Sequence, residues 1–115
     1  KGQEHQASEQ ELVDCVSSCS GCNGGSASTV FDWLKSNYQC TAQSYQYTAK
    51  QSSCRLSSCS KVDHDSGSVI LSTGEKGIMS QLDNGPVSVS VDASTWSSYK
   101  GGIMETGCGQ HTNHA

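Results

Sequence analysis

Ser8-Glu9-Gln10-Glu11-Leu12-Val13-Asp14-Cys15 and, a few residues on, Gly21-Cys22-Asn23-Gly24-Gly25-Ser26-Ala27 carry most of the structural information in this 115-residue chain. Ser8-x-x-Glu11 has the form of a capping box, in which the Ser8 hydroxyl accepts from the Glu11 N–H while the Glu11 carboxylate returns to the N–H of Ser8. A short helix from Glu9 to Cys15 follows from it. The residues from Val16 to Gly25, rich in Ser and Gly, read as a loop. Gly24 and Gly25 permit positive φ and form its turn. From Ser26 onward, Ala27, Val30, Phe31 and Leu34 fall at i, i+3, i+4 and i+7, which is one stripe of a helix ending near Asn37.

Farther out, Tyr38 to Lys61 holds Cys40, Cys54 and Cys59 among turn-forming Ser and Gln, and reads as covalently pinned irregular structure. Val69-Ile70-Leu71 is a short strand candidate. Thr73 can cap a helix from Gly74 to Asp83 with Ile78, Met79 and Leu82 facing inward, although two glycines weaken it. Asn84-Gly85-Pro86 breaks that helix. Val87, Val89 and Val91 then alternate with Ser88, Ser90 and Asp92, the period-two pattern of a strand with one buried face. A composition shift near Ser66 separates a cysteine-dense helical half, residues 1–66, from a β-leaning half, residues 67–115, with one cysteine. An α+β chain in two lobes is the expectation.

A hydrophobic fraction of 33% is low for a self-sufficient core, so disulfides are expected to compensate. Seven cysteines fit an oxidising compartment. The odd count implies a free thiol, an intermolecular bond or partners lying outside the sequence. The net charge of −4 comes from acidic and basic residues scattered without runs, so neither nucleic acid nor a membrane surface is an expected partner. No apolar run approaches the ~20 residues of a membrane-spanning helix. Cys19-x-x-Cys22 could join Cys54, Cys59 and His111-x-x-His114 around zinc, but those spacings fit no compact finger or ribbon. A redox role for Cys19-x-x-Cys22 lacks a βαβ pattern around it. No metal and no cofactor is expected, and His5 and His64 read as solvent-exposed.

Near its end the chain runs Tyr99-Lys100-Gly101-Gly102-Ile103, then Cys108, then Asn113-His114-Ala115. In that order, and with the motifs around Cys15 and Gly24-Gly25 upstream, the sequence resembles papain-like cysteine proteases. Asp92-Ala93-Ser94, Trp96 and Tyr99, with the Asp32-Trp33 helix, look closest to cathepsin L-like enzymes of protists. The resemblance implies a two-lobed fold, a helical disulfide-rich lobe and a β-barrel lobe, incomplete at both ends. It also implies a cysteine-type endopeptidase in which His114 forms an ion pair with a thiolate and then protonates the leaving amine.

In such enzymes the histidine follows its nucleophile by about 130–150 residues, whereas Cys15, the earliest cysteine, precedes His114 by 114 − 15 = 99 positions. The Cys-Gly-Ser-Cys-Trp nucleophile segment, its oxyanion-hole glutamine and the asparagine that orients the histidine are absent. The expectation is therefore an internal fragment without activity of its own. The resemblance further implies that Gly24, Gly25, Ser26, Ala27, Ser90, Asn113 and Ala115 contact an extended peptide or protein substrate. It pairs Cys15 with Cys54 and gives Cys22 and Cys108 partners outside the chain. One further bridge among Cys19, Cys40 and Cys59 stays open. A monomer with a pro-segment in its precursor, in the lysosome or outside the cell, completes the picture. Gln46, where a proline is usual, and a shortened segment before Ser8 depart from the pattern. Two other readings remain: a non-catalytic homologue that binds rather than cleaves, and a complete disulfide-stapled interaction module.

Overall fold

The computed structural model describes residues 5–63 and 73–115. Val69-Ile70-Leu71, His64 and the compositional boundary at Ser66 lie outside the described residues. Two compact units divide the chain, Lys1–Ile70 and Leu71–Ala115.

In the first unit, α1 (Glu9–Cys15) starts where the sequence places it, with the Ser8 hydroxyl accepting from the Glu11 N–H at 3.0 Å. Such a cap is worth about 1 kcal/mol. The other half of the capping box does not form. Ser8 N–H donates to the Cys40 carbonyl at 3.0 Å, and the Glu11 carboxylate accepts instead from the Cys40 N–H at 2.7 Å. The backbone of Cys40 needs both a donor and an acceptor once buried, and the start of α1 supplies them.

Cys40 belongs to β1 (Gln39–Cys40), which pairs antiparallel with β2 (Lys61–Asp63). This small sheet lies in the segment that composition alone assigns to irregular structure. Disulfides join Cys15 to Cys54 and Cys40 to Cys59; Cys19, Cys22 and Cys108 carry free thiols. The second bridge thus takes two of the three cysteines whose pairing the sequence left open.

The core of this unit is small: Val16, Leu34, Cys40 and Tyr45 are buried, together with Ser8, Gln10 and Glu11. Polar burial requires partners. Gln10 donates to Asp14 at 2.9 Å and to the Lys50 carbonyl at 2.8 Å, and it accepts from Thr48 N–H at 2.8 Å. Tyr45, 2% exposed, donates its hydroxyl to Asp14 at 2.8 Å and accepts from Arg55 N–H at 3.2 Å, with the Arg55 guanidinium 4.5 Å from its ring. Desolvation pushes the Asp14 carboxyl upward, but hydrogen bonds from Ser52, Tyr45 and Gln10 outweigh it and hold the group below its usual range.

α2 (Ala27–Leu34) spans its apolar stripe but ends before Asn37, and only Leu34 of that stripe is buried; Phe31 lies at the exposed margin. In the second unit, α3 (Gly74–Leu82) forms after Thr73. Its Met79 and Leu82 are 60% and 56% exposed, not inward as their spacing predicts. Among the described residues nothing covers that face. The alternating valines form no strand: Val89 is exposed, and the ladder shrinks to one antiparallel bridge between Val91 and His114. A strand needs backbone partners along its length, and the described residues offer Val91 one. No helix among the described residues is long and apolar enough to cross a membrane.

Candidate active site

His114 is held by its backbone. Val91 N–H donates to the His114 carbonyl at 2.8 Å, and the Val91 carbonyl accepts from both Asn113 N–H (2.9 Å) and His114 N–H (3.1 Å). The imidazole is exposed and stacks against the Trp96 ring with centroids 6.1 Å apart and planes inclined by 29°. Its Nδ1 lies 3.1 Å from the Ala115 carbonyl.

Asn113 turns its side chain back into the same loop pair. Its Oδ1 accepts from Ala93 N–H at 3.0 Å, and its Nδ2 approaches Asp92 at 3.4 Å. Ser90 adjoins the Val91 that makes the bridge, so Ser90, Asn113, His114 and Ala115 fall within one neighbourhood of the second unit.

Asp92, to which sequence reasoning gave no role, ties the two segments of this region together. Its Oδ1 accepts from Ser94 N–H at 3.0 Å and from the Ser94 hydroxyl, and its Oδ2 accepts from His111 N–H at 3.0 Å. The Ser94 hydroxyl and N–H and the His111 N–H hold the Asp92 carboxyl below its usual range. The signal was present in Asp92-Ala93-Ser94, an Asx-turn pattern in which the side chain caps the N–H two residues on. The valine alternation around it suggested only an outward strand position. Asp92 also lines a cavity of about 520 Å3 with Trp96, Tyr99, Gly102, Met104 and Cys108.

The first unit carries the glycine-rich loop. A one-turn 3-10 segment (Gly21–Asn23) is tied by Asn23 N–H to the Ser20 carbonyl at 3.0 Å, by Gly24 N–H to the Gly21 carbonyl at 3.2 Å, and by Ser20 N–H to the Gly24 carbonyl at 2.8 Å. Gly24 adopts φ +112°, a conformation that side-chain-bearing residues avoid, and no atom lies within 4 Å of where its Cβ would stand. Gly25 differs: a Cβ there would sit 2.7 Å from Cys19 Sγ. Ser26 and Ala27 follow at the start of α2, with the Ser26 hydroxyl 2.7 Å from that of Ser28. His5 is exposed. Among the described residues no group of three or more His, Cys, Asp or Glu could hold a metal.

The family model described as "Papain family cysteine protease" matches residues 1–115. Papaya proteinase 4 of Carica papaya is 36% identical over 114 residues, covering 96% of this chain and 33% of that protein. Cathepsin L 2 of Paramecium tetraurelia is 32% identical over 112 residues, covering 96% of this chain and 35% of that protein. The chain thus spans about a third of the length of these curated relatives. Among solved structures, a Carica candamarcensis cysteine protease in complex with E-64 superposes with a TM-score of 0.89 at 29% identity, over 99% of this chain and 55% of that one. Digestive procathepsin L2 of Tenebrio molitor larval midgut gives 0.82 at 28% identity, over 98% and 38%. The helices and small sheet described above are those of part of this fold.

Proposed function

The chain belongs to the papain family of cysteine proteases, and from that premise we propose that it is part of a thiol endopeptidase in which His114 is the catalytic imidazole. The observation that carries the reading is the clamp on His114: its N–H and its carbonyl are both bonded to Val91, while the ring stays exposed beside Trp96. A fixed backbone with a free ring is what a proton donor needs.

In the proposed reaction a thiolate, from a cysteine outside these 115 residues, attacks a peptide carbonyl. The carbon–sulfur bond forms, the carbon–nitrogen bond breaks, and His114 gives its proton to the leaving amine. Water, deprotonated by the same imidazole, then hydrolyses the thioester. The open space above Gly24 supports strand-like approach of an extended peptide, and substrate contact is assigned also to Gly25, Ser26, Ala27, Ser90, Asn113 and Ala115.

The proposal includes the finer architecture: residues 1–66 in a helical lobe, and residues 67–115 as the start of a β-barrel lobe. It has Cys22 and Cys108 bonded to cysteines outside the chain. The enzyme is a monomer made with a pro-segment and works in the lysosome or outside the cell, where its disulfides persist.

The test uses the full-length protein. His114→Ala is expected to lower cleavage of a peptide amide about 10³-fold, while the wild type is silenced by a thiol-directed alkylating agent. The 115-residue chain alone is expected to turn over nothing. Undiminished cleavage by His114→Ala overturns the assignment of the imidazole. A wild type that binds peptides but neither cleaves them nor reacts with the agent supports a binding homologue instead.

A further inference from the structure

We infer that Asp92 is a positioning residue for the catalytic imidazole: its carboxylate binds segment 109–114 to segment 91–94 and so fixes where His114 stands. The inference rests on the reading of His114 above.

Three observations converge on it. Asp92 shares its two oxygens between the segments, Oδ1 taking Ser94 N–H on its own side and Oδ2 taking His111 N–H across the gap at 3.0 Å. The Asn113 amide, next to His114, both approaches Asp92 and accepts from Ala93 N–H. And position 109 is a glycine for a steric reason: a Cβ on Gly109 would collide with Asp92 Oδ2. The segment therefore packs closely against the carboxylate.

Backbone bonds to Val91 and the bond from Ala93 N–H to Asn113 Oδ1 hold the end of the loop. Asp92 adds an anchor at His111, three residues before the imidazole. Charge-assisted bonds to backbone N–H groups are the strong kind. Loss of that anchor lets the loop rotate about Val91 and moves the ring from its donating position.

Two substitutions perturb the same contact differently. Asp92→Asn keeps an acceptor for Ser94 but sets an amide N–H against the His111 N–H. Gly109→Ala crowds Oδ2 without altering charge. In the full-length enzyme both are expected to lower kcat on a peptide amide by about tenfold or more with KM within about twofold.

The acylation burst of an activated ester, whose leaving group needs no proton, is expected to slow by no more than about threefold, whereas hydrolysis of the thioester still needs the imidazole. A smaller folded fraction lowers both substrates alike, so equal losses, or a change in KM alone, overturn the inference. Amide hydrogen exchange gives the second readout. His111 and His114 N–H are expected to exchange faster in both variants while Cys40 N–H is unchanged; unaltered exchange at His111 sinks the anchor by itself. A wild type that cleaves neither amide nor ester overturns the peptidase reading, and exchange then reports on the anchor separately.

Discussion

At the scale of the residue, Glu11 shows how a cap becomes a core contact. The side chain is buried; Oε2 accepts from Cys40 N–H at 2.7 Å, and Oε1 has no partner among the described residues. Burial pushes the carboxyl above its usual range, and the Cys40 hydrogen bond opposes this only in part. The sign follows directly. With the folded-state value raised, the native protein holds its proton where the unfolded chain has lost it, so this contribution is fully present below the unfolded value and is lost as pH rises through the folded one. Glu11→Gln retains an acceptor for Cys40 and removes the charge. Thermal melts are expected to show the variant gaining on the wild type as pH rises from the usual carboxylate range upward, and parallel pH dependence in the two proteins would rule this account out. Sequence spacing identified Ser8 and Glu11 as a pair, and the Ser8 half of that pair forms. It could not identify Cys40, 29 residues from Glu11, because the competing partner exists only after β1 is laid against α1.

Elements were legible where local chemistry suffices and illegible where it does not. α1 has a cap; α3 starts after Thr73, whose side chain makes no cap hydrogen bond, and ends before Asn-Gly-Pro; both form within a residue of where those signals lie. β1 and β2, two and three residues long, carry no period to read. The valine alternation from Val87 to Val91 states which side chains favour burial, but backbone partners decide whether a strand exists. The sequence marks His114 and the glycine pair as candidates and gives Asp92 no role, because the neighbours of its carboxylate lie 17–21 positions away: Gly109, His111 and Asn113. Gly25 packs closely on Cys19, where an added Cβ would stand 2.7 Å from Sγ. Gly25→Ala is expected to destabilise by about 1–3 kcal/mol through overpacking. A Cys19→Ala background, lacking the sulfur, should relieve part of that cost. Urea unfolding of the double-mutant cycle measures the coupling, and strict additivity would show that Cys19 is not what the added methyl meets.

For the molecule as a whole, the cross-links are unevenly shared. Both disulfides lie in the first unit, closing sequence separations of 39 and 19 residues. On a chain-entropy account each contributes about 3–4 kcal/mol by restricting the unfolded ensemble. That is a large fraction of a small unit's stability, and among the described residues the first unit's apolar core is four buried side chains. The second unit holds one cysteine, Cys108, unpaired, and keeps its loop pair together with backbone and carboxylate hydrogen bonds. Mild reduction of the 115-residue chain, in which Cys108 is unpaired, should therefore act selectively. Hydrogen exchange in the presence of a thiol reductant is expected to lose protection first at amides of the first unit, Cys40 N–H and Thr48 N–H among them, while Val91 and His114 N–H hold longer. The opposite order would mean that the polar network of Gln10, Asp14 and Tyr45, rather than the cross-links, holds the first unit together. In that case Tyr45→Phe, which removes the hydroxyl between Asp14 and Arg55, should mimic what reduction fails to do.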